Sequence, residues 1–201
     1  MTSINAPPEG TYLGDLFIPT QDTEIARLRS FLEEFGLRGL TTTGAKHLER
    51  SVLAMRLREM KREDVEEVLR VRTLTRENAL TMEELADRGI TPESTARLLG
   101  EDVKGWVCEE SGEILGFAMG DGRSGEVLVL AVLPEHEGRG IGRRLLSSVQ
   151  DWLFSRGHPE LWLLENPDPG VRAYGFYRSL GWLPTGEFRG EEQVLKLRRL
   201  E

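Results

Sequence analysis

Residues 126–143 read EVLVLAVLPEHEGRGIGR. An aliphatic and β-branched run, 127–133, stops at Pro134. Three alternate glycines follow, Gly138, Gly140 and Gly142, and an amphipathic helix pattern starts among them. The order predicts a strand, a tight turn and a helix N-terminus. The first N–H groups of a helix have no intrahelical partner and lie at the positive end of its dipole, so such a turn is a ready site for phosphate oxygens.

Outward from that stretch, 104–109, 114–119 and 126–133 carry strand signals. Turns at Ser111-Gly112 and 121–125 separate them, which makes an antiparallel meander. Behind the glycines, Leu145, Leu146, Val149, Trp152 and Leu153 share the inward face of a helix from Gly140 to about Arg156, ended by Gly157. Residues 161–164 form an apolar run of the kind a buried strand needs. A helix over 171–180 closes at Gly181, and 193–200 alternate as a final strand. Ahead of the meander, 52–58 suit a strand and 62–72 a helix, and Thr91-Pro92 opens a second helix that Gly100 ends. The sum is an α/β domain: a mixed central sheet flanked by helices on both faces.

Residues 1–50 differ in character. Pro7, Pro8, Gly10 and Gly14 suggest an irregular arm. Asp22 is placed to cap a short helix with Ile25, Leu28, Leu32 and Phe35 on one face, and 39–44 read as a linker. Residues 1–50 are therefore expected to be an N-terminal extension and 51–201 the main domain. The extension has too few apolar residues for its own core. It is expected to pack on the main domain or to form a homodimer contact.

The formal charge is −8, from 34 acidic and 26 basic side chains. That balance, with no local basic patch, excludes nucleic acid as a natural partner. It suits a cationic ligand such as an amine and equally a plain solvated surface. Cys108 is the single cysteine, which rules out an intrachain disulfide and leaves no basis for a zinc cluster, so no metal site is expected. The longest apolar run is too short for a bilayer, and the N-terminus lacks a signal-peptide pattern. A soluble cytoplasmic protein without a membrane partner is the simplest expectation.

Three glycine-loop chemistries compete. A dinucleotide fingerprint needs Gly-x-Gly-x-x-Gly, but counting from Gly138 the sixth position is Arg143. A triphosphate loop needs Gly-Lys-Ser/Thr; residues 39–47 place Lys46 one position late, with no hydroxyl after it. The third reading fits. Leu130 to Pro134 followed by Glu137-Gly-Arg-Gly-Ile-Gly142 resembles the acyl-CoA-binding motif of the GNAT (GCN5-related N-acetyltransferase) superfamily. Asn166, then Ala173-Tyr-Gly-Phe-Tyr177-Arg-Ser-Leu-Gly-Trp182, resembles its later helix. Element order matches from about Ser51 to Leu200. One position departs from the pattern: Glu137 stands where Gln or Arg is usual, and its carboxylate is expected to turn away from a bound pyrophosphate.

The resemblance implies the GNAT-like acyl-CoA N-acyltransferase fold, with acetyl-CoA as co-substrate. It implies a pantetheine arm lying along the strand at Leu130, Ala131 and Val132, and a pyrophosphate on the amides of Gly138, Arg139, Gly140, Ile141 and Gly142. Arg139 and Arg143 would add positive charge, and Asn166 would contact the cofactor arm unless it only forms the turn before Pro167. Acyl transfer to an amine requires the amine to be neutral, and an alkylammonium with a pKa of about 10.4 is only ~10⁻³ deprotonated near neutral pH. It also requires an oxyanion donor, here a backbone N–H near Val132, and benefits from a proton donor to the thiolate. Tyr177 occupies the family's general-acid position, although a half-buried tyrosine could simply pack. Glu126, eleven residues before Glu137, has the spacing of the catalytic glutamate in histone-acetylating members, and a plain charged residue after Gly125 is the other reading. His136 is expected to be solvent-exposed, and Trp106, Trp152, Trp162 and Trp182 to be core. The expected acceptor is a small-molecule primary amine, ahead of a protein amine. The alternative is a non-catalytic CoA-binding module.

Overall fold

The structure, a computed structural model, describes residues 10–13, 16–19, 55–77 and 79–199. The chain divides into two compact units, Met1–Ala54 and Met55–Glu201. In the first, β1 (Gly10–Leu13) pairs antiparallel with β2 (Leu16–Pro19), Thr11 opposite Ile18. This corrects the expected irregular arm. The β-branched and aromatic residues between the glycines favour extended pairing. The helix expected from Asp22 and the linker over 39–44 lie outside the described residues.

The second unit is built on a seven-stranded sheet of order β3-β4-β5-β6-β7-β9-β8. The strands are β3 Arg56–Glu59, β4 Val103–Glu110, β5 Glu113–Asp121, β6 Glu126–Val132, β7 Glu160–Glu165, β8 Leu183–Arg189 and β9 Glu192–Arg198. Every neighbouring pair is antiparallel except β6 and β7. The helices are α1 Val65–Thr73, α2 Met82–Asp87, α3 Pro92–Leu98, α4 Ile141–Ser155 and α5 Arg172–Ser179. None of the described helices is long and apolar enough to cross a membrane.

Each face of the sheet buries its own apolar layer. Val65, Val68, Leu69 and Val71 of α1 and Leu85 of α2 pack with Val107, Phe117, Met119 and Ala131. On α4, Leu145, Leu146, Val149 and Leu153 follow the helical period and are fully buried. A Cβ at Gly120 would stand 2.7 Å from Val149 Cγ1 and 3.3 Å from Leu153 Cδ1, so the glycine in β5 lets α4 sit close.

Two elements carry little pattern in the sequence. Helix α2 has six residues, but its Thr81-x-x-Glu84 start is a capping box. Thr81 Oγ1 accepts from Glu84 N at 3.1 Å, and Glu84 Oε2 accepts from Thr81 N at 2.7 Å. Strand β8 is exposed along its length and so lacks a buried alternate face to announce it. Helix α3 starts at the expected Thr91-Pro92 cap and stops at Leu98, before Gly100.

The entry to α1 is held by charge. Arg58 of β3 forks onto the buried Asp64, Nη1 to Oδ2 at 2.7 Å and Nη2 to Oδ1 at 2.8 Å, and its Nε donates to Glu109 Oε2 at 2.7 Å. Lys61 N also donates to Asp64. The Arg58 hydrogen bonds hold the Asp64 carboxyl below its ordinary value. A depressed folded pKa means stability that is present above the unfolded value, near 4, and lost as pH falls through the folded one. D64N should therefore cost about 3 kcal/mol at neutral pH by orphaning part of a buried pair. Urea unfolding across pH should show that cost shrinking in acid.

Candidate active site

Strands β6 and β7 are bridged at one pair, Glu126 opposite Trp162, where Trp162 N donates to Gly125 O at 3.1 Å. Beyond it they part. On the other edge of β6, Leu133 N donates to Leu115 O at 2.8 Å. Antiparallel alternation then turns the main-chain groups of Val129 and Ala131 toward β5 and those of Leu130 and Val132 away from it. Leu130 and Val132 thus present N–H and C=O to the side β7 has left. Ala131 is not brought to that edge: its backbone serves β5 and its side chain is buried in the core. Leu128 has no partner in β5, between Val127 opposite Gly120 and Val129 opposite Met119. Such a bulge bends and twists its strand, which helps β6 diverge from β7.

The open edge leads into the glycine turn. After a 3-10 turn at Pro134–His136, Gly138 and Gly140 adopt φ of +73° and +78°, a region that costs other L-residues about 1–2 kcal/mol. Gly140 is the N-cap of α4. No side chain caps this helix and no acid lies in its first turn, so the amides of Ile141, Gly142 and Arg143 keep their donors for something else. A Cβ at Gly142 would meet Phe176 Cζ at 3.5 Å and Val132 Cγ2 at 3.8 Å; helix start, strand edge and α5 converge there.

The charged residues of the turn divide sharply. Arg143 is half-buried and makes no ion pair among the described residues. Arg139 is a brace: Nη2 donates to Glu110 Oε1 at 2.8 Å and Nη1 to His136 Nδ1 at 2.6 Å. His136 is accordingly half-buried, against the expectation of a solvent-exposed ring. The Glu137 carboxylate is gripped by Arg172, the first residue of α5, and lies 3.5 Å from Arg76 Nε. Its charge is neutralised locally, so it does not confront the amide cradle alone.

Glu126 belongs to the opposite face. Gly120 faces α4, as its close approach to Val149 shows, and Val127 is its cross-strand partner. The neighbouring Glu126 therefore points to the α1 side, in a half-buried position. Burial pushes its carboxyl up; the positive charge of Arg189 opposes this, and Asp121 and Glu192 reinforce it. Cys108 is fully buried on β4, and burial pushes its thiol up to about 11, which is wrong for a nucleophile.

Tyr177 lies on α5, edge-on to Phe176 and to the fully buried Trp182 at centroid distances of 5.2 and 6.2 Å. Burial raises the pKa of its phenol, and the charge of Glu165 adds to the rise. Its hydroxyl hydrogen-bonds to no described residue. Sequence reading missed what anchors α5. The buried Glu165, closing the run LWLLE, accepts from Arg178 Nη1 at 2.6 Å, and Arg178 also donates to Tyr174 O and to Gln193 Oε1. A lone acid closing an apolar strand was the available signal. Asn166 Oδ1 accepts from Asp168 N at 3.0 Å, an Asx turn at the end of β7. Trp162 is not core; Arg189 lies over its ring.

A group with a raised folded pKa contributes stability below its unfolded pKa and loses it as pH rises through the folded one. Charged Glu126 thus weighs on the fold at neutral pH. E126Q should raise the thermal midpoint at pH 8 and leave it nearly unchanged at pH 4. A midpoint that falls at pH 8 would refute the burial argument.

Similarity to known proteins falls on these same elements. The family described as Acetyltransferase (GNAT) family matches residues 63–182. The PaiA N-acetyltransferase of Thermoplasma acidophilum, in complex with coenzyme A, is 17% identical over 72% of this chain and 99% of its own, with a TM-score of 0.63. Ard1 of Thermoplasma volcanium is 20% identical over 74% of this chain and 99% of its own, at 0.56. The spermidine/spermine N-acetyltransferase SpeG of Vibrio cholerae is 16% identical over 73% and 94%, at 0.52. These identities speak to the fold. The family match covers more than half the chain, from the first turn of α1's approach through Trp182, and takes in the parted strands, the glycine turn and α5: this chain belongs to the GNAT acetyltransferase family.

Proposed function

We propose that this chain transfers an acyl group, acetyl in the first instance, from acyl-CoA to a primary amine on a small molecule. The observation that carries the reading is the open main-chain edge at Leu130 and Val132 running into the uncapped start of α4. An amide-bearing arm finds strand-like partners along that edge, and a pyrophosphate finds the free amides of 140–143 with the unpaired Arg143 beside them. Coenzyme A has both parts, and the complex of the Thermoplasma acidophilum relative contains it.

The transfer needs no covalent enzyme intermediate. The amine nitrogen forms a bond to the thioester carbonyl carbon, the C–S bond breaks, and the amine proton leaves toward Glu126 through water. The raised carboxyl of Glu126 lies nearer the working pH of a general base than an exposed one would. The N–H of Leu130 lies on the open edge, nearer Glu126 than that of Val132, where it can donate to the developing oxyanion. Tyr177, with its hydroxyl uncommitted, is the proton donor to the departing thiolate. The raised phenol keeps that proton at neutral pH until a thiolate develops to take it.

Free thiol appearing from acetyl-CoA on addition of amines from a broad panel is the direct test. Y177F should lower kcat by about 10²–10⁴-fold with little change in CoA affinity. E126Q should do the same and abolish the acid limb of the pH–rate profile. Tight CoA binding with no thiol release on any amine would mean a binding module instead.

A further inference from the structure

The acyl-transfer steps leave one built feature beside Glu126 unused. Trp162 is the β7 residue opposite Glu126, so the two side chains rise from the same face of the sheet. The indole is fixed, because its Nε1 donates to Ser124 O at 3.0 Å. Arg189, the last residue of the edge strand β8, lays its guanidinium over that ring with Cζ 4.0 Å from the centroid. Stacking uses the flat face of the guanidinium and leaves its N–H edge outward.

Arg58, Arg70, Arg123 and Arg156 each hold a carboxylate. The Arg189 guanidinium is exposed and makes no ion pair or hydrogen bond among the described residues. Glu192, its register partner across the β8–β9 turn, does not close on it. Yet Arg189 is near enough to Glu126 to act on the charge of that carboxyl. The result is an oriented, unpaired cation on one side of the candidate base, with Asp121 on the other.

We propose that Arg189, held by Trp162, is the specificity determinant of the acceptor site, and that the acceptor is a zwitterionic, amino-acid-like amine. Its carboxylate docks on the guanidinium fork, which suits two oxygens in a plane. Its ammonium end lies toward Glu126 and Asp121, whose charges favour it. A diamine would set its far cation against Arg189 and is disfavoured. This inference rests on the acyl-transfer reading above.

The test compares acceptors that differ only in the carboxylate: L-amino acids against the amines left by their decarboxylation, with acetyl-CoA and thiol release as the readout. The full-length enzyme should prefer the amino acid in the best pair by about 10- to 100-fold in kcat/KM, mostly through KM. R189A should erase that preference by losing the amino acid, and R189K should restore part of it. A merely structural Arg189 would depress both members of a pair equally, which would overturn the proposal. Turnover confined to carboxylate-free amines would also overturn it and leave acyl transfer standing. Absence of thiol release with every acceptor would remove both.

Discussion

Two parallel strands that touch at a single pair and then separate create the demand that organises this molecule. Peptide groups need hydrogen-bond partners, and past Glu126 and Trp162 strand β7 no longer supplies them to β6. The unpartnered Leu128 bends β6, and β7 is held to its course by a continuous ladder with β9 from Glu160 to Glu165. The gap is therefore built by register, and a ligand with amide groups is its natural complement.

The anion end of that gap is made mostly of backbone. Left-handed glycines at 138 and 140 turn the chain so that α4 begins without a side-chain cap. The charged side chains around the turn chiefly hold it in place: Arg139 ties it to β4, while Arg172 and Arg76 absorb the charge of Glu137. Glutamate is thus accommodated in the glycine turn because its charge is satisfied by arginines from two other segments. Arg143 is left without an ion pair among the described residues.

Burial and reactivity trade against each other on the opposite face. Glu126 is half out of water among like charges, an arrangement that works against the fold and toward proton acceptance. Arg189 tempers it from the edge of the sheet. The buried Glu165–Arg178 pair holds α5, and with it Tyr177, against β7 and β9.

The order of amino acids by itself determined the meander, the glycine turn, α4 and α5. Those features rest on periodicity, caps and positive-φ glycines acting within a few residues. The same local signals brought out Gly140 and Arg143, while Glu126 and Tyr177 stood out only through the resemblance to the GNAT family. Only the tertiary structure decided what each one meets. It gave the main chain of Ala131 to β5 and that of Leu130 and Val132 to the gap, because sheet register sets which peptide edge stays open. It placed Trp162 beside Glu126 and beneath Arg189, although these residues lie far apart in the chain. It paired Glu137 with Arg172 and Arg76 across equally distant segments. A carboxylate's partner and its exposure depend on long-range packing, and no local spacing encodes them.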